Sequence, residues 1–314
     1  MDKKTTPNKN SNSSTSDKIT KAGFVALIGK PNSGKSTLLN LFIGSDISIV
    51  TPKPQTTRRQ VLGIVTNDSI QIIFIDTPGI LKPFNKLDKT MLSSAEQAIE
   101  DCDLICVIHD LSSPNFNLLN ENFIQVLKTS TIPKILLLNK VDLVKDKKQL
   151  LPAIDKFNKL NLFDEIIPIS ALNKVGTDGL LPIIETYIPE SEFFYDAEML
   201  SSQPERFFVA EIIRKILYEE LRQEIPYSSE VIIAEFKERQ KGKWFINAEI
   251  LIEKVSQKKI VVGNKGTKIR IIGEKARLAI EEHLQEQVYL ELFIKVRDNW
   301  RDNPSILKSL GYSV

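Results

Sequence analysis

Gly29 to Ser36 reads Gly-Lys-Pro-Asn-Ser-Gly-Lys-Ser: a glycine, four free positions and Gly-Lys-Ser, directly after the apolar run Phe24 to Ile28. A strand that ends in such a loop and opens a helix turns its backbone N–H groups toward one point, where a triphosphate can sit. A chance match in a chain of this length has odds on the order of one per cent. Gly29, Lys30, Pro31, Asn32, Ser33, Gly34, Lys35, Ser36 and Thr37 are therefore candidate phosphate-binding residues. Lys35 has the reach for the β- and γ-phosphates, and Ser36 places a hydroxyl where it can ligate Mg2+.

Three later segments complete a pocket. Asp76-Thr77-Pro78-Gly79 follows the apolar run Ile70 to Ile75. This puts a carboxylate at a strand end, where it can hold the metal through water while Gly79 offers its N–H to the γ-phosphate. Asn139-Lys140-Val141-Asp142 closes the run Ile135 to Leu138. A carboxylate at Asp142 accepts from the N1–H and exocyclic amine of guanine, whereas adenine presents an acceptor at N1. A site built for those donors penalises the wrong base through unpaired buried groups. Ser170-Ala171-Leu172, after Ile166 to Ile169, supplies a backbone N–H for guanine O6. The four segments in this order predict a guanine-nucleotide site.

These loops need strands and helices to hold them. From Lys21 to Ile188, short apolar runs alternate with amphipathic stretches, the remaining runs being Val61 to Val65 and Leu104 to Ile108. That pattern predicts an α/β domain, a largely parallel sheet covered on both faces, with its crevice at the carboxyl ends of the strands. Residues 1–20 are Lys, Asn, Ser and Thr with almost no apolar side chains, which predicts a disordered tail. Between Pro189 and Pro204 the chain is Glu-rich and irregular, the expected linker between domains at 21–188 and 205–314. The second unit reads helix (Arg206 to Leu221), strands (Glu230 to Phe236, Trp244 to Ile252), a helical pair broken at Gly263 to Gly266, strand (Val288 to Val296) and a closing helix (Pro304 to Tyr312).

Gly263-Asn264-Lys265-Gly266 permits a tight turn and a close approach of backbone, so a single-stranded sugar-phosphate chain can be clamped with its bases along an apolar groove, the logic of the KH module. GxxG alone is weak. Between Lys254 and Arg277, however, eight basic residues stand against the single acid Glu274. That imbalance favours phosphate contact over an ordinary solvated face, which mixes both signs. Gly263, Asn264, Lys265, Gly266, Lys258, Lys268, Arg270, Lys275 and Arg277 are the candidate RNA contacts.

Composition narrows the rest. Lys and Arg number 42 against 40 Asp and Glu in 314 residues, so any nucleic-acid surface is a local patch. No apolar stretch approaches the roughly 20 residues that cross a bilayer, and a cytoplasmic protein is expected. Cys102 and Cys106 read as core residues rather than zinc ligands, and the lone His109 and His283 have no partner motif.

Over Gly23 to Tyr312 the chain resembles the Era family of GTPases. The resemblance rests on Pro31 to Thr37, on Gln55-Thr56-Thr57-Arg58-Arg59, on the loops above and on Gly263 to Gly266. It implies a P-loop GTPase domain followed by a type II KH domain, with 55–59 in the first switch loop and Thr57 joining Ser36 and Asp76 around Mg2+. Ile80 stands where small signalling GTPases place a water-orienting glutamine. The expected catalytic set is therefore Lys35, Asn32, Thr57 and Gly79, with K+ recruited in part by Asn32 or, on the plainer alternative, Asn32 merely closing its loop. The resemblance also implies a partner, 16S ribosomal RNA near its 3′ end, with a role in assembly of the 30S subunit, a monomer, and peripheral association with the inner face of the cell membrane. No amphipathic basic helix accounts for that association. Two alternatives remain open: an RNA chaperone with incidental GTP hydrolysis, and a mitochondrial relative with the same chemistry.

Overall fold

The computed structural model describes residues 19–113, 121–144, 148 and 150–313. The first unit runs β1 (Lys21–Gly29), α1 (Lys35–Ile43), β2 (Val61–Thr66), β3 (Ile70–Asp76), α2 (Lys86–Glu100), β4 (Leu104–Asp110), α3 (Glu121–Thr129), β5 (Lys134–Asn139), α4 (Leu150–Asn158), β6 (Glu165–Pro168) and α5 (Leu180–Glu185). Its sheet has the order β2-β3-β1-β4-β5-β6. All pairings are parallel except β2 with β3.

The continuous apolar runs have a direct cause, since each central strand is covered on both faces. Val25, Leu27, Phe74 and Leu137 face α1 and α5 through Leu38, Leu39 and Ile184. Ala26, Ile28, Val107 and Leu138 face α2, α3 and α4 through Ile99, Phe123 and Phe157. Parallel alignment brings the carboxyl ends of β1, β3, β5 and β6 to one edge, and the predicted loops follow those ends. Cys102 and Cys106 are buried and free, as a core reading requires, and burial pushes the Cys102 thiol up to about 12.

The second unit contains α6 (Glu205–Glu220), α7 (Ile225–Ser228), β7 (Glu230–Lys237), β8 (Trp244–Ile252), α8 (Val255–Val262), α9 (Thr267–Leu284), β9 (Val288–Val296) and α10 (Pro304–Ser309). β7 pairs antiparallel and β9 parallel with β8. The parallel pair demands a crossover, which α8 and α9 provide. Alternate residues of β8, Ile246, Ala248, Ile250 and Ile252, pack against Val209, Ile213 and Leu217 of α6 and Ile272, Ala276 and Ile280 of α9.

The segment 189–204 lies along the first sheet. Ala22 N donates to Pro189 O (3.2 Å) and Ile64 N to Leu200 O (2.8 Å). The fully buried Gln71 accepts from Phe194 N and Tyr195 N and donates to Tyr195 O. At the head of α6, Phe207 and Phe208 enter the core of the first unit. A fourth cluster spans both units: Leu87 and Met91 of α2 pack with Leu251, Trp300, Leu307, Leu310 and Tyr312. The expected disordered tail falls mainly on residues 1–18, outside the described ones; Thr20 Oγ1 donates to Ser191 O (2.8 Å). Among the described residues no helix is long and apolar enough to cross a membrane.

Candidate functional site

A cavity of about 500 Å3 opens at the carboxyl edge of the first sheet. Of the predicted residues, Pro31, Asn32, Gly34, Lys35, Ser36, Thr37, Gln55, Thr56, Thr57, Gly79, Asn139, Lys140, Asp142, Ser170, Ala171 and Leu172 line it. Gly29, Lys30, Ser33, Asp76, Thr77 and Pro78 are not in that lining. Several of these fix the loops from behind. Gly29 O accepts from Ile80 N (3.0 Å) and Lys35 Nζ (3.2 Å), and Thr77 Oγ1 donates to Leu27 O (2.8 Å).

The phosphate loop is shaped by what cannot fit there. Gly34 begins α1 at φ 104°, and a Cβ at that position would lie 2.1 Å from Asn139 Nδ2. Without a side chain to cap the helix, the N–H groups of its first turn stay available to a ligand. A Cβ on Gly79 would lie 2.6 Å from Pro31 N, so the second phosphate-facing loop abuts the first only because that residue is glycine. Lys35, 5% exposed, turns back to donate to Gly29 O and Lys30 O (3.1 Å). Burial lowers its pKa to about 8, against the opposing attraction of Asp76.

The candidate metal position is an all-oxygen cluster. Asp76 Oδ2 accepts from Ser36 Oγ (2.6 Å), Ser48 Oγ (2.7 Å) and Thr57 Oγ1 (3.4 Å), and Ser36 Oγ lies 2.9 Å from Thr57 Oγ1. Asp76 Oδ1 is buried without a partner. An orphaned carboxylate oxygen amid hydroxyls suits a hard cation such as Mg2+, so the residues present fit the ion the sequence implies. Burial pushes the Asp76 carboxyl up, Lys35 and the three hydroxyls opposing it. Ser48 was not legible in the sequence because no motif surrounds it. Thr56 is spent elsewhere, bonded to Thr51 Oγ1 (2.7 Å) and Lys53 O (2.8 Å), which singles out Thr57.

Asn139, in the cavity lining, also braces two of the loops. Its Nδ2 donates to Ser33 O (2.7 Å) and its Oδ1 accepts from Ala171 N (2.9 Å), tying the phosphate loop to the 170–172 loop. Lys140 takes φ 66° and pairs with Asp110 (2.6 Å). Asp142 stands in a single 3-10 turn, 141–143, at the cavity wall. Of the three N–H groups in the segment expected to supply one to O6, Ser170 N donates to Val175 O and Ala171 N to Asn139, which leaves Leu172 N. Ile49, Val50, Thr51, Pro52 and Leu143 also line the cavity. Val50 and Leu143 are exposed apolar side chains that no sequence motif marks.

Asn32, in the left-handed region at φ 61°, donates through Nδ2 to Pro52 O (2.8 Å), joining the phosphate loop to the segment before Thr57. Ile80 is buried in the core, with no face toward the cavity lining. His109 is buried against Phe157, and burial drops its pKa to about 4.

Two predicted members of the first switch, Arg58 and Arg59, do not reach the cavity. Both turn into the junction with the second unit. Arg58 binds Ser229 O, Glu230 and the Tyr218 hydroxyl, and Arg59 binds Leu310 O (2.8 Å) and lies over the Tyr312 ring. Their partners stand some 160 to 250 positions away, beyond any local pattern.

The second candidate site is the turn between α8 and α9. Gly263 (φ 74°) admits no Cβ, which would meet Lys268 Cβ at 2.6 Å; Lys265 (φ 49°) and Gly266 (φ 79°) continue the left-handed path. Asn264, Lys265, Lys258 and Arg270 are exposed. The flanking helices also expose Val255, Ile260, Ile271 and Leu278, an apolar border beside the basic turn. Three of the predicted RNA contacts are already paired: Lys268 (3.0 Å) and Lys275 (2.5 Å) with Glu220, and Arg277 (2.6 Å) with Glu281. A count of basic residues between Lys254 and Arg277 could not see Glu220 arriving from α6, and it stopped short of Glu281 on α9 itself.

Comparison with known proteins finds a match in each unit. Residues 24–140 match a family described as 50S ribosome-binding GTPase, and residues 224–301 match the KH domain. GTPase Era of Lactobacillus helveticus is 40% identical over 296 residues, 94% of this chain and 97% of the relative. GTPase Era of Ruminiclostridium cellulolyticum is 44% identical over 293 residues, covering 93% and 97%. Among solved structures, an Aquifex aeolicus Era variant bound to GDP·AlF4− superposes with a TM-score of 0.87 at 36% identity, covering 94% of this chain and all of that one. Era in complex with MgGDPNP and nucleotides 1506–1542 of 16S ribosomal RNA gives 0.90 at 37% identity with the same coverage. With a P-loop GTPase unit and a KH unit in this order, and relatives alike along nearly their whole length, the chain belongs to the Era family of GTPases.

Proposed function

We propose that this protein is a GTP-hydrolysing switch that binds 16S ribosomal RNA near its 3′ end and acts in maturation of the small ribosomal subunit. The observation that carries the reading is the presence, in one chain, of a cavity whose wall offers Asp142 to a base and a basic glycine turn on a separate α+β unit. The relative solved with MgGDPNP and small-subunit RNA spans both units. The family match over 24–140 is described by the other subunit, so it is the two-unit arrangement that selects the small one.

In this reading Gly29 to Thr37 hold the phosphates, Asp142 accepts from the guanine edge, and Leu172 N donates to O6. Lys35 leaves its loop carbonyls for the β- and γ-phosphates. Ser36, Thr57 and Asp76 hold Mg2+, which supplies positive charge for the phosphate oxygens. Water attacks the γ-phosphorus and gives GDP and phosphate. With Ile80 buried, no side chain of the 76–80 loop orients that water, so intrinsic turnover is slow, which suits a timer. Asn32 commits its Nδ2, not its amide oxygen, to Pro52 O, and its assistance to K+ is the finer part of the proposal; equal turnover in KCl and NaCl removes it. The units are 21–188 and 205–314, with 189–204 strapped to the first.

Crosslinking and sequencing of bound RNA with GTP and with GDP tests the whole. The RNA is expected to map to the 3′ end of 16S RNA. Asn264→Asp with Lys265→Asp is expected to abolish that crosslink while leaving guanine-nucleotide affinity intact, and unchanged RNA affinity at fixed salt would remove the clamp.

A further inference from the structure

The junction between the loop that carries Thr57 and the second unit is built almost entirely of directed polar contacts. Arg58 follows Thr57 in the chain and is 4% exposed. Its Nη1 donates to Ser229 O (2.6 Å) and Glu230 Oε2 (3.1 Å). Its Nη2 donates to Pro226 O (3.2 Å), Tyr227 O (2.8 Å) and the Tyr218 hydroxyl (3.1 Å). That hydroxyl donates onward to Gln55 O (3.1 Å), two residues before Thr57. Farther back, Lys53 Nζ donates to the carbonyls of Tyr218 and Leu221 at the C-terminal end of α6. The loop is therefore gripped on both sides of Thr57 by α6 and α7, while Thr57 itself faces Ser36 and Asp76.

Stability alone does not call for this arrangement. A buried ion pair exchanged for apolar side chains of similar volume is often as stable or more so, whereas a planar guanidinium engaged at both ends fixes orientation as well as position. A hydroxyl tied to the main chain on one side and to Arg58 on the other leaves the intervening residues little freedom.

We propose that Tyr218 and Glu230 of the second unit, acting through Arg58, are positioning residues for GTP hydrolysis: they hold Thr57 where the triphosphate state needs its hydroxyl. The proposal rests on the reading of Thr57 as a metal ligand in that state. It makes the RNA-reading unit a structural part of the nucleotide site. It also gives RNA a physical handle on the switch, because Glu220, at the same end of α6, holds Lys268 and Lys275 of the glycine-turn helix.

The test uses the full chain. Tyr218→Phe removes the bridging hydroxyl and keeps the ring; Lys53→Met loosens the loop from its other end without touching the buried cluster. Three quantities are read in each: hydrogen exchange of residues 51–59 in nucleotide-free protein, affinity for GDP against a non-hydrolysable GTP analogue with Mg2+, and kcat with KM. Faster exchange in 51–59, GDP affinity equal to the unaltered protein, and kcat and analogue affinity both lower by between about 3- and 10-fold, the scale of one ordinary hydrogen bond, are expected. Unaltered exchange and kcat in both variants would overturn the proposal. So would equal losses of GDP and analogue affinity, which mark general loosening. Thr57→Ala with undiminished analogue affinity would instead remove the ligand reading and the proposal with it, even where the exchange data show the clasp.

Discussion

At the scale of single residues the proposed chemistry rests on Asp142 and Lys35, and each has a measurable signature. Asp142→Asn replaces an acceptor by a group that also donates, opposite the donors of guanine. GTP affinity is expected to fall on the order of 100-fold, with xanthine nucleotide, whose edge has the complementary pattern, gaining in proportion. Calorimetry with GTP, ATP and XTP decides it, and retained GTP preference would show the base seated elsewhere. Lys35 gives a pH dependence. Burial sets its free pKa to about 8, and triphosphate must raise it. Below pH 8 the free protein already carries the proton. Above it, binding has to take one up, so affinity is expected to fall as pH rises, approaching tenfold per unit. A flat profile between pH 7 and 9 would mean that Lys35 does not contact the phosphates.

Charge bookkeeping at the scale of elements differs from that of the sequence. α9 contributes Lys268, Arg270, Lys275 and Arg277, but α6 lends Glu220 to two of these and Glu281 occupies a third. Hydrogen bonds from Lys275 and Lys268 hold the Glu220 carboxyl below the usual carboxylate range. Surface pairs of this kind are weak, because solvent and salt screen them, so RNA phosphates can displace them. Glu220→Gln is expected to raise RNA affinity by about 2- to 5-fold, with a steeper dependence on salt as two more cations become available. Filter binding at several salt concentrations reads both. Unchanged affinity and slope would show that the phosphate path avoids those lysines.

The whole molecule is held at its waist by a buried cluster of charge. Glu230 lies 3% exposed in its side chain against Arg58 and also accepts from the Tyr312 hydroxyl (2.6 Å). Burial alone would raise its pKa, but Arg58, Arg59, Arg214 and Tyr312 outweigh burial and hold it at about 2. A carboxyl depressed in the folded state stabilises fully above its unfolded pKa, near 4.5, and the contribution is lost as pH falls toward 2. The melting temperature is thus expected to fall between pH 4.5 and 2 more steeply in the unaltered protein than in Glu230→Gln. That variant starts lower, since breaking one side of a buried pair costs about 3–5 kcal/mol. Parallel acid profiles would assign the transition to other carboxyls.

The nucleotide loops were legible because their chemistry is local: a Gly-Lys-Ser after an apolar run, or Asn-Lys-Val-Asp after another, needs only its own strand and the parallel alignment of its neighbours to be useful. Burial on both faces wrote those strands as unbroken apolar runs, and the glycine turn between α8 and α9 was equally self-contained. Groups whose partners lie far along the chain were not legible. Ser48 meets Asp76 only when the segment before Thr57 folds over the sheet edge, Glu220 reaches α9 only through helix packing, and Arg58 meets Glu230 only when α7 and β7 close around it. Sequence determines what each loop can bind, because backbone donors and side-chain types are local properties. Tertiary structure decides which charges are spent inside the molecule, because a salt bridge depends on distance through space and not along the chain.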